Sequence, residues 1–415
     1  MSPEIPLAVP LAWLAPFVAL LAAIAVLPLV APHFWEPHRN KAAVAALLSA
    51  PVAWWAWQAD RAALAETGHD YLAFMLLLGA LFVVAGGIFL DGDLRATPGV
   101  NTTFLLLGAL LANVVGTTGA AMLLIRPLLR TNAERRHVKH TVIFFVFLVC
   151  NIGGCLTPLG DPPLFVGFLR GVPFLWTLRL WPEWLGMNAV LLAIYFAWDT
   201  LAVRHETRAA LRLDRVRVDP LRLTGRVNLA LLAGLVPTVA LAAPGTREAL
   251  LLGITLLSLA LTPAGVRARN AFTWHPLVEV GVLFAGLFVT MLPALAFLRE
   301  HGPALGVHSP RQFFWVTGSL SSVLDNTPTY LALLALAQGL DLPRQVAGVS
   351  HEVLTGISLG AVFMGAVTYI GNAPNFMVKS IAERSGVTMP GFGGYLLYSV
   401  AILGPLFLAL AWLAL

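Results

Sequence analysis

Stretches of apolar residues long enough to cross a ~30 Å hydrocarbon layer recur from one end of this chain to the other, and nothing constrains its fold more. Inside such a layer every backbone N–H and C=O must bond within the protein, so only helices and closed barrels can span it. Runs of this length suit helices, not the shorter alternating strands of barrels. Of the 415 residues 58% are hydrophobic and 11% charged, where soluble domains carry about 25% charged. A soluble globule is excluded, and the fold class is an all-α polytopic membrane protein.

The opening MSPEIPLAVP has no basic segment and the first Lys or Arg is Arg39, so the first apolar run is expected to stay as a span. Cys150 and Cys155 share one apolar segment, where they suit small buried side chains better than a disulfide framework or a zinc site. The net charge of +5 arises from basic residues in short loops, which is a topology signal and not a nucleic-acid footprint.

Apolar runs place spans near 8–30, 42–57, 71–90, 141–169 and 183–199, then near 228–243, 246–263, 277–298, 346–383 and 394–414. Two more apolar stretches, 101–125 and 312–338, are interrupted by GTTG and DNTPT and read as re-entrant hairpins. With ten spans and two hairpins, 19 of the 26 Lys and Arg fall on one side, Arg344 being among those on the other. The rich side is cytoplasmic by the positive-inside rule. Both termini are then expected in the periplasm of a bacterial inner-membrane protein.

The chain also resembles itself. GCLTPLGDPPLF at 154–165 aligns without gaps on GAVTYIGNAPNF at 365–376, sharing Gly, Thr, Gly, Pro and Phe. A weaker match pairs 108–124 with 318–334. The expected organisation is a first repeat at 1–199, with hairpin 101–125 and broken helix 141–169. A cytoplasmic linker follows at 200–227, then a second repeat at 228–415, with hairpin 312–338 and broken helix 346–383. Five spans per repeat, an odd number, would turn the second upside down relative to the first. Inverted repeats with interrupted helices characterise secondary transporters, whose ligands sit at the interruptions.

Pro158, Pro162 and Pro163 explain the first interruption, because proline lacks a backbone donor and clashes with the preceding turn. Unwound backbone at that depth must be buried in protein or line a watery cavity. Its carbonyls and half-helix ends can then serve as ligands. Two of the 21 acids stand out at such depth: Asp161 in the first break and Asp325 at the second hairpin tip. An intramembrane acid is a functional candidate by default. If each tip packs on the break of its own half, one site holds Thr117, Thr118, Thr157 and Asp161. The other then holds Asp325, Asn326, Thr327, Thr368, Asn372 and Asn375. A single carboxylate among neutral oxygens suits a monovalent cation or a proton, with Asp161, Asp325, Asn326 and Asn372 as sodium candidates. The bland alternative is that these Asp and Asn residues only cap half-helices. Glu279 and Glu352 lie nearer span starts, within reach of water.

Other patterns carry less. GISLG at Gly356–Gly360 matches the hydrolase pattern G-x-S-x-G, but that motif needs a strand-to-helix elbow. Small residues in an apolar helix serve close packing instead. An intramembrane serine hydrolase built on Ser358 is the remote alternative. HEVLT at 351–355 ends in Thr where the zinc motif needs His. Asp91 and Asp93 flank Gly92 where a span ends and read as a solvated turn.

With NIGGCLTPLGDPP, DNTPT and TYIGNAPN in view, the chain resembles the ion transporter superfamily across roughly residues 70–415. That group includes divalent anion/sodium symporters, citrate carriers, arsenite permeases and D-type sodium/proton antiporters. The resemblance implies tips at Gly116–Gly119 and Asp325–Thr329 and breaks at Gly153–Pro163 and Gly371–Asn375. It adds Asn151, Gly153, Gly160 and Pro163 to the first site and Gly371 and Pro374 to the second, and it implies a homodimer. Carboxylate symporters typically carry Ser-Asn-Thr at both tips, whereas here Gly116-Thr117-Thr118 and Asp325-Asn326-Thr327 stand. A negative Asp325 disfavours a dianionic substrate unless a cation neutralises it.

The expected function is therefore secondary transport, exchanging sodium or lithium for protons. The alternative is sodium- or proton-coupled transport of citrate or another small carboxylate, and a channel would be set apart by its flux. No cofactor and no nucleic-acid partner is expected, only the bilayer, the coupling ions and the cargo.

Overall fold

A computed structural model describes residues 9–340, 343 and 345–415. Residues 1–8 of the N-terminal reading and Arg344 of the charge tally lie outside the described residues. The first half contains α1 (Ala15–Val30), the short α2 (Pro32–Trp35), α3 (His38–Ala59), α4 (Arg61–Gly86) and α5 (Pro98–Thr131). There follow α6 (Lys139–Leu148), α7 (Pro162–Leu169) and α8 (Trp181–Arg204), then α9 (Arg208–Val216). The second half contains α10 (Val227–Leu241), α11 (Thr246–Leu261), the short α12 (Val266–Arg269), α13 (His275–His301), α14 (Pro310–Ser321) and α15 (Asn326–Gln338). It closes with α16 (His351–Phe363), α17 (Ala373–Arg384) and α18 (Phe392–Leu413).

Local chemistry sets where these helices start. Asp60 caps α4 by accepting from the N–H groups of Ala62 and Ala63, and Thr97 caps α5 ahead of Pro98. Ser309 and Gln312 form a reciprocal capping box at α14. Each such cap fills a donor that the first helical turn cannot satisfy internally. Among the described residues eight helical segments are long and apolar enough to cross a membrane, and the chain is a multi-pass membrane protein. Two of the expected spans, α10 and α11, are shorter, at 15 and 16 residues.

The long α5 does not run straight. Gly116 has φ 76° and ψ 156°, outside the helical region and in a range that only glycine enters freely. A Cβ on Gly108 would come 3.2 Å from the Leu124 side chain, although a straight helix would separate residues so spaced by ~24 Å. The chain therefore doubles back at Gly116. In the second half α14 and α15 also pack on each other, with Ser322–Asp325 between them outside either helix.

Both broken helices take one form: α6 then a 3-10 turn at Ile152–Leu156 then α7, and α16 then a 3-10 turn at Met364–Val367 then α17. Two groups of helices meet where α4 packs on α5 and α7 and where α13 packs on α15. Helices α1, α3 and α4 pack with α10, α11 and α13. Hairpins and broken helices pack among themselves and against α8 and α18.

The expected turn at Asp91–Asp93 is a strand instead. β1 (Phe89–Asp93) pairs antiparallel with β2 (Asp219–Thr224), Phe89 opposite Thr224 and Leu90 opposite Leu223. Gly92 takes φ 116°, and the register shifts between Asp91 and Asp93. A local irregularity is how a strand accommodates glycine. Segment 200–227 thus carries α9 and β2, and Asp214 of α9 accepts from the Ala96 N–H at 2.8 Å.

Candidate functional site

Each break is held by a threonine and a pair of glycines. Thr157 donates to the carbonyl of Asn113 in the first hairpin, and Thr368 donates to that of Ser322 beside the second. A Cβ on Gly160 would meet the Gly154 carbonyl, and one on Gly371 would meet that of Gly365. Glycine is thus required by close backbone approach in both places. The residue that starts each second half-helix is extended: Asp161 at φ −141°, ψ 139°, and Asn372 at φ −150°, ψ 141°. Pro162 and Pro163 of α7, and Pro374 of α17, follow in the first turn, where a missing N–H costs nothing.

Neither extended residue caps its own helix through its side chain. Asp161, 1% exposed, accepts from the Thr117 hydroxyl at 3.0 Å, the Asn372 amide at 3.1 Å and the Asn326 amide at 2.7 Å. The Thr117 N–H donates to the Gly160 carbonyl at 2.8 Å, so the first tip lies on the break of its own half. The carboxylate, however, reaches both the break and the tip of the other half. Sequence pattern suggested two sites, one per half; four elements instead meet on one acid.

Asp325 behaves differently. Its carboxylate accepts from the Thr327 N–H at 2.9 Å and caps α15, which is the capping role weighed for both acids. Asn151 donates to Asn375 at 2.8 Å and to the Val146 carbonyl, while its Oδ1 has no donor. Asn375 donates to the carbonyls of Gly365 and Thr368. A Cβ on Gly153 would strike the backbone of Ala109, so Gly153 brings the break against the first hairpin. Among the described residues no group of three or more His, Cys, Asp or Glu is placed to hold a metal.

Two adjoining cavities of about 40 and 60 Å³ open beside this cluster. A volume of ~10–15 Å³ on this measure suffices for one water, so each has room for several waters or a partly hydrated small ion. One wall is apolar and comes from Phe74, Leu78 and Phe82 of α4 and from Leu277, Val280 and Phe284 of α13. The other comes from the tips and breaks, with Thr118 and Pro162 lining both cavities and Asp325, Asn326, Thr327 and Asn372 the larger. Among the described residues neither lining includes Lys, Arg or His.

Other sequence candidates fall outside the cluster. Glu279 forms an ion pair with buried Lys41, and Glu352 is exposed in the first turn of α16. Ser358 is buried in the middle of α16. A Cβ on Gly356 or Gly360 would press on the α14 backbone, so the GISLG glycines bring α14 and α16 together. Cys150 and Cys155 are free and buried.

The sequence reading passed over a second buried polar cluster. Asp199 accepts from Arg135, from His140 at 2.8 Å and from Asn101 at 3.2 Å, and both Asp199 and the Arg135 side chain are almost wholly buried. Its signal was present in the sequence, an acid closing the apolar run 183–199. Asn113 was passed over too, although a polar residue inside the apolar hairpin marked it; its Oδ1 accepts from the Leu156 N–H at 2.8 Å.

The fold and this cluster can be set beside known proteins. A family model described as "Putative citrate transport" matches residues 7–415. Uncharacterized transporters of Mycobacterium bovis and Mycobacterium tuberculosis are each 24% identical over 352 residues, covering 77% of this chain and 80% of theirs. The chain is thus a transporter that belongs to the citrate-transport-like family of the ion transporter superfamily.

Proposed function

We propose that this chain is a secondary active transporter exchanging sodium or lithium for protons, with Asp161 as the carboxylate that both ions share. The observation that carries this reading is a buried acid whose three hydrogen-bond partners are all neutral, beside cavities with no cationic side chain in their lining. A carboxylate offers about four lone-pair directions, so three donors leave one for a proton or a small cation. Leaving an ionised carboxylate unpaired in a low-dielectric interior costs several kcal/mol. The empty, charged site therefore resists being enclosed, and exchange follows when only the cation-bound and protonated forms cross over. An inverted relation between the halves would present the same cluster to either side of the membrane in turn.

The family description favours a second reading, coupled transport of citrate or a similar carboxylate. A polyanion would have to enter beside Asp325 with no Lys, Arg or His lining the cavity, so this reading requires a cation to travel with it. One experiment separates the two. Purified protein is placed in vesicles enclosing a pH-sensitive dye, and sodium, lithium, potassium or citrate is added outside. Antiport predicts that sodium and lithium raise the internal pH without citrate. A response that needs citrate would replace antiport with the carboxylate reading.

A further inference from the structure

A further cavity lies apart from the Asp161 cluster. It measures about 710 Å³ and lies where α6 begins, α8 ends and α18 passes. Its polar lining includes Arg136, His137, Lys139, His140 and His205 and, among the described residues, contains no acid. Arg136 and Lys139 are exposed. Two acids near this loop, Glu134 and Glu206, are absent from the lining: Glu134 lies 3.7 Å from Arg217, and Glu206 accepts from the N–H groups of Arg136 and His137. The opposite wall is apolar and aromatic, with Trp198 and Tyr398 at a ring distance of 6.2 Å.

The pocket is built, not incidental. Behind it, Asp199 ties Arg135 of the loop to His140 of α6, and the His140 ring lies parallel to Trp198 at 6.0 Å and 4°. The buried ion cluster thereby ties together the loop before α6, α6 itself and α8, three of the elements around the cavity. Leu201 of the lining is exposed, and α18 exposes the apolar Leu397 and Val400 on either side of Tyr398.

We propose that this pocket binds the headgroup of an anionic phospholipid. Arg136 and Lys139 would hold the phosphate, Trp198 and Tyr398 would flank the interfacial region, and the acyl chains would run along the exposed faces of α8 and α18. Basic pockets between helices at a membrane surface select anionic headgroups, and Trp and Tyr prefer the depth of the headgroups. A free phosphate would use the same cations but would leave the apolar faces unused.

Native mass spectrometry of the detergent-purified full chain tests this, with phosphatidylglycerol or phosphatidylcholine added and inorganic phosphate in a separate arm. Wild type should retain phosphatidylglycerol in preference to phosphatidylcholine. The double variant Arg136→Gln/Lys139→Gln should bind it about 30-fold more weakly, as expected for two basic residues near an anionic surface. The charge-preserving Arg136→Lys/Lys139→Arg should keep most of the preference, which distinguishes lost charge from a damaged fold. Equal retention of both lipids by wild type, or unchanged retention by the Gln variant, would overturn the proposal. Displacement of lipid by inorganic phosphate would assign the pocket to a soluble anion instead. A changed oligomeric mass in the Gln variant with unaltered lipid retention would assign it to contact between copies of the chain.

Discussion

The two broken helices share a backbone and differ in one atom that matters. Where α7 begins the residue is Asp161, and where α17 begins it is Asn372, with φ and ψ nearly the same at both positions. Asn372 places its amide between the Cys150 carbonyl and Asp161. Asp161 can only accept, and it draws donors from both halves. The two breaks are similar frames, and the Asp/Asn difference makes one an acceptor and the other a donor. The result is a single acid shared between the halves, not two equivalent sites.

The strongest way to break this comparison is to make the two positions alike. Asp161→Asn leaves shape and size almost unchanged but presents an amide to donors, cannot take up a proton and offers a cation only a neutral oxygen. Loss of a charged, hydrogen-bonded partner of ~3 kcal/mol corresponds to about 100-fold weaker sodium binding. Wild-type protein should gain thermal stability in sodium over choline chloride, and Asp161→Asn should show almost none of that gain. An equal sodium-dependent gain would show that the cation binds elsewhere.

The next contrast is steric. Gly160→Ala and Gly371→Ala each push a methyl group onto the carbonyl of a partner glycine. Overpacking of this kind costs ~1–3 kcal/mol, so both variants should unfold at lower temperature in detergent. If either matched wild type, the close approach that defines its break would be wrong.

Asp325→Asn should be milder than Asp161→Asn. Asn caps helices about as well as Asp, so α15 should keep its start, while the cavity loses its one lining carboxylate. Sodium/proton exchange is expected to slow by roughly 10-fold, on the scale of ~1.4 kcal/mol. Complete loss would promote Asp325 to equal rank with Asp161.

The smallest effect lies away from the site. Burial alone would raise the pKa of Glu206, but the N–H donors of His137 and Arg136 outweigh it and hold the carboxyl below the usual range. A depressed value means that stability is present above the unfolded carboxylate's pKa and is lost as pH falls through the folded one. Glu206→Gln should therefore be less stable than wild type at neutral pH, with the gap closing below about pH 4. A gap that persisted unchanged into acid would remove the charge from the account.

How much of this the sequence could show depends on how local the cause was. Gly160, Gly371 and the prolines announce their breaks because backbone chemistry acts where the residue stands. The sharing of Asp161 could not be read that way, since nothing near Asn326 or Asn372 says that their amides point into the other half. The β1–β2 ribbon was hidden for a different reason. Asp, Gly and Pro are depleted in strands; Asp91-Gly92-Asp93 read as a turn and Asp219-Pro220 fell within the expected linker until their long-range pairing was seen. Asp199 was legible as an intramembrane acid but was set aside as a span end, and only its burial with Arg135 corrects that.

The central claim, that Asp161 is the group shared by cation and proton, is tested most directly by sodium-driven pH change in vesicles carrying wild type or Asp161→Asn at matched protein content. Wild type should raise the internal pH when sodium is added outside, and Asp161→Asn, folded and inserted, should not. Sodium-driven alkalinisation at the wild-type rate in Asp161→Asn would contradict the account.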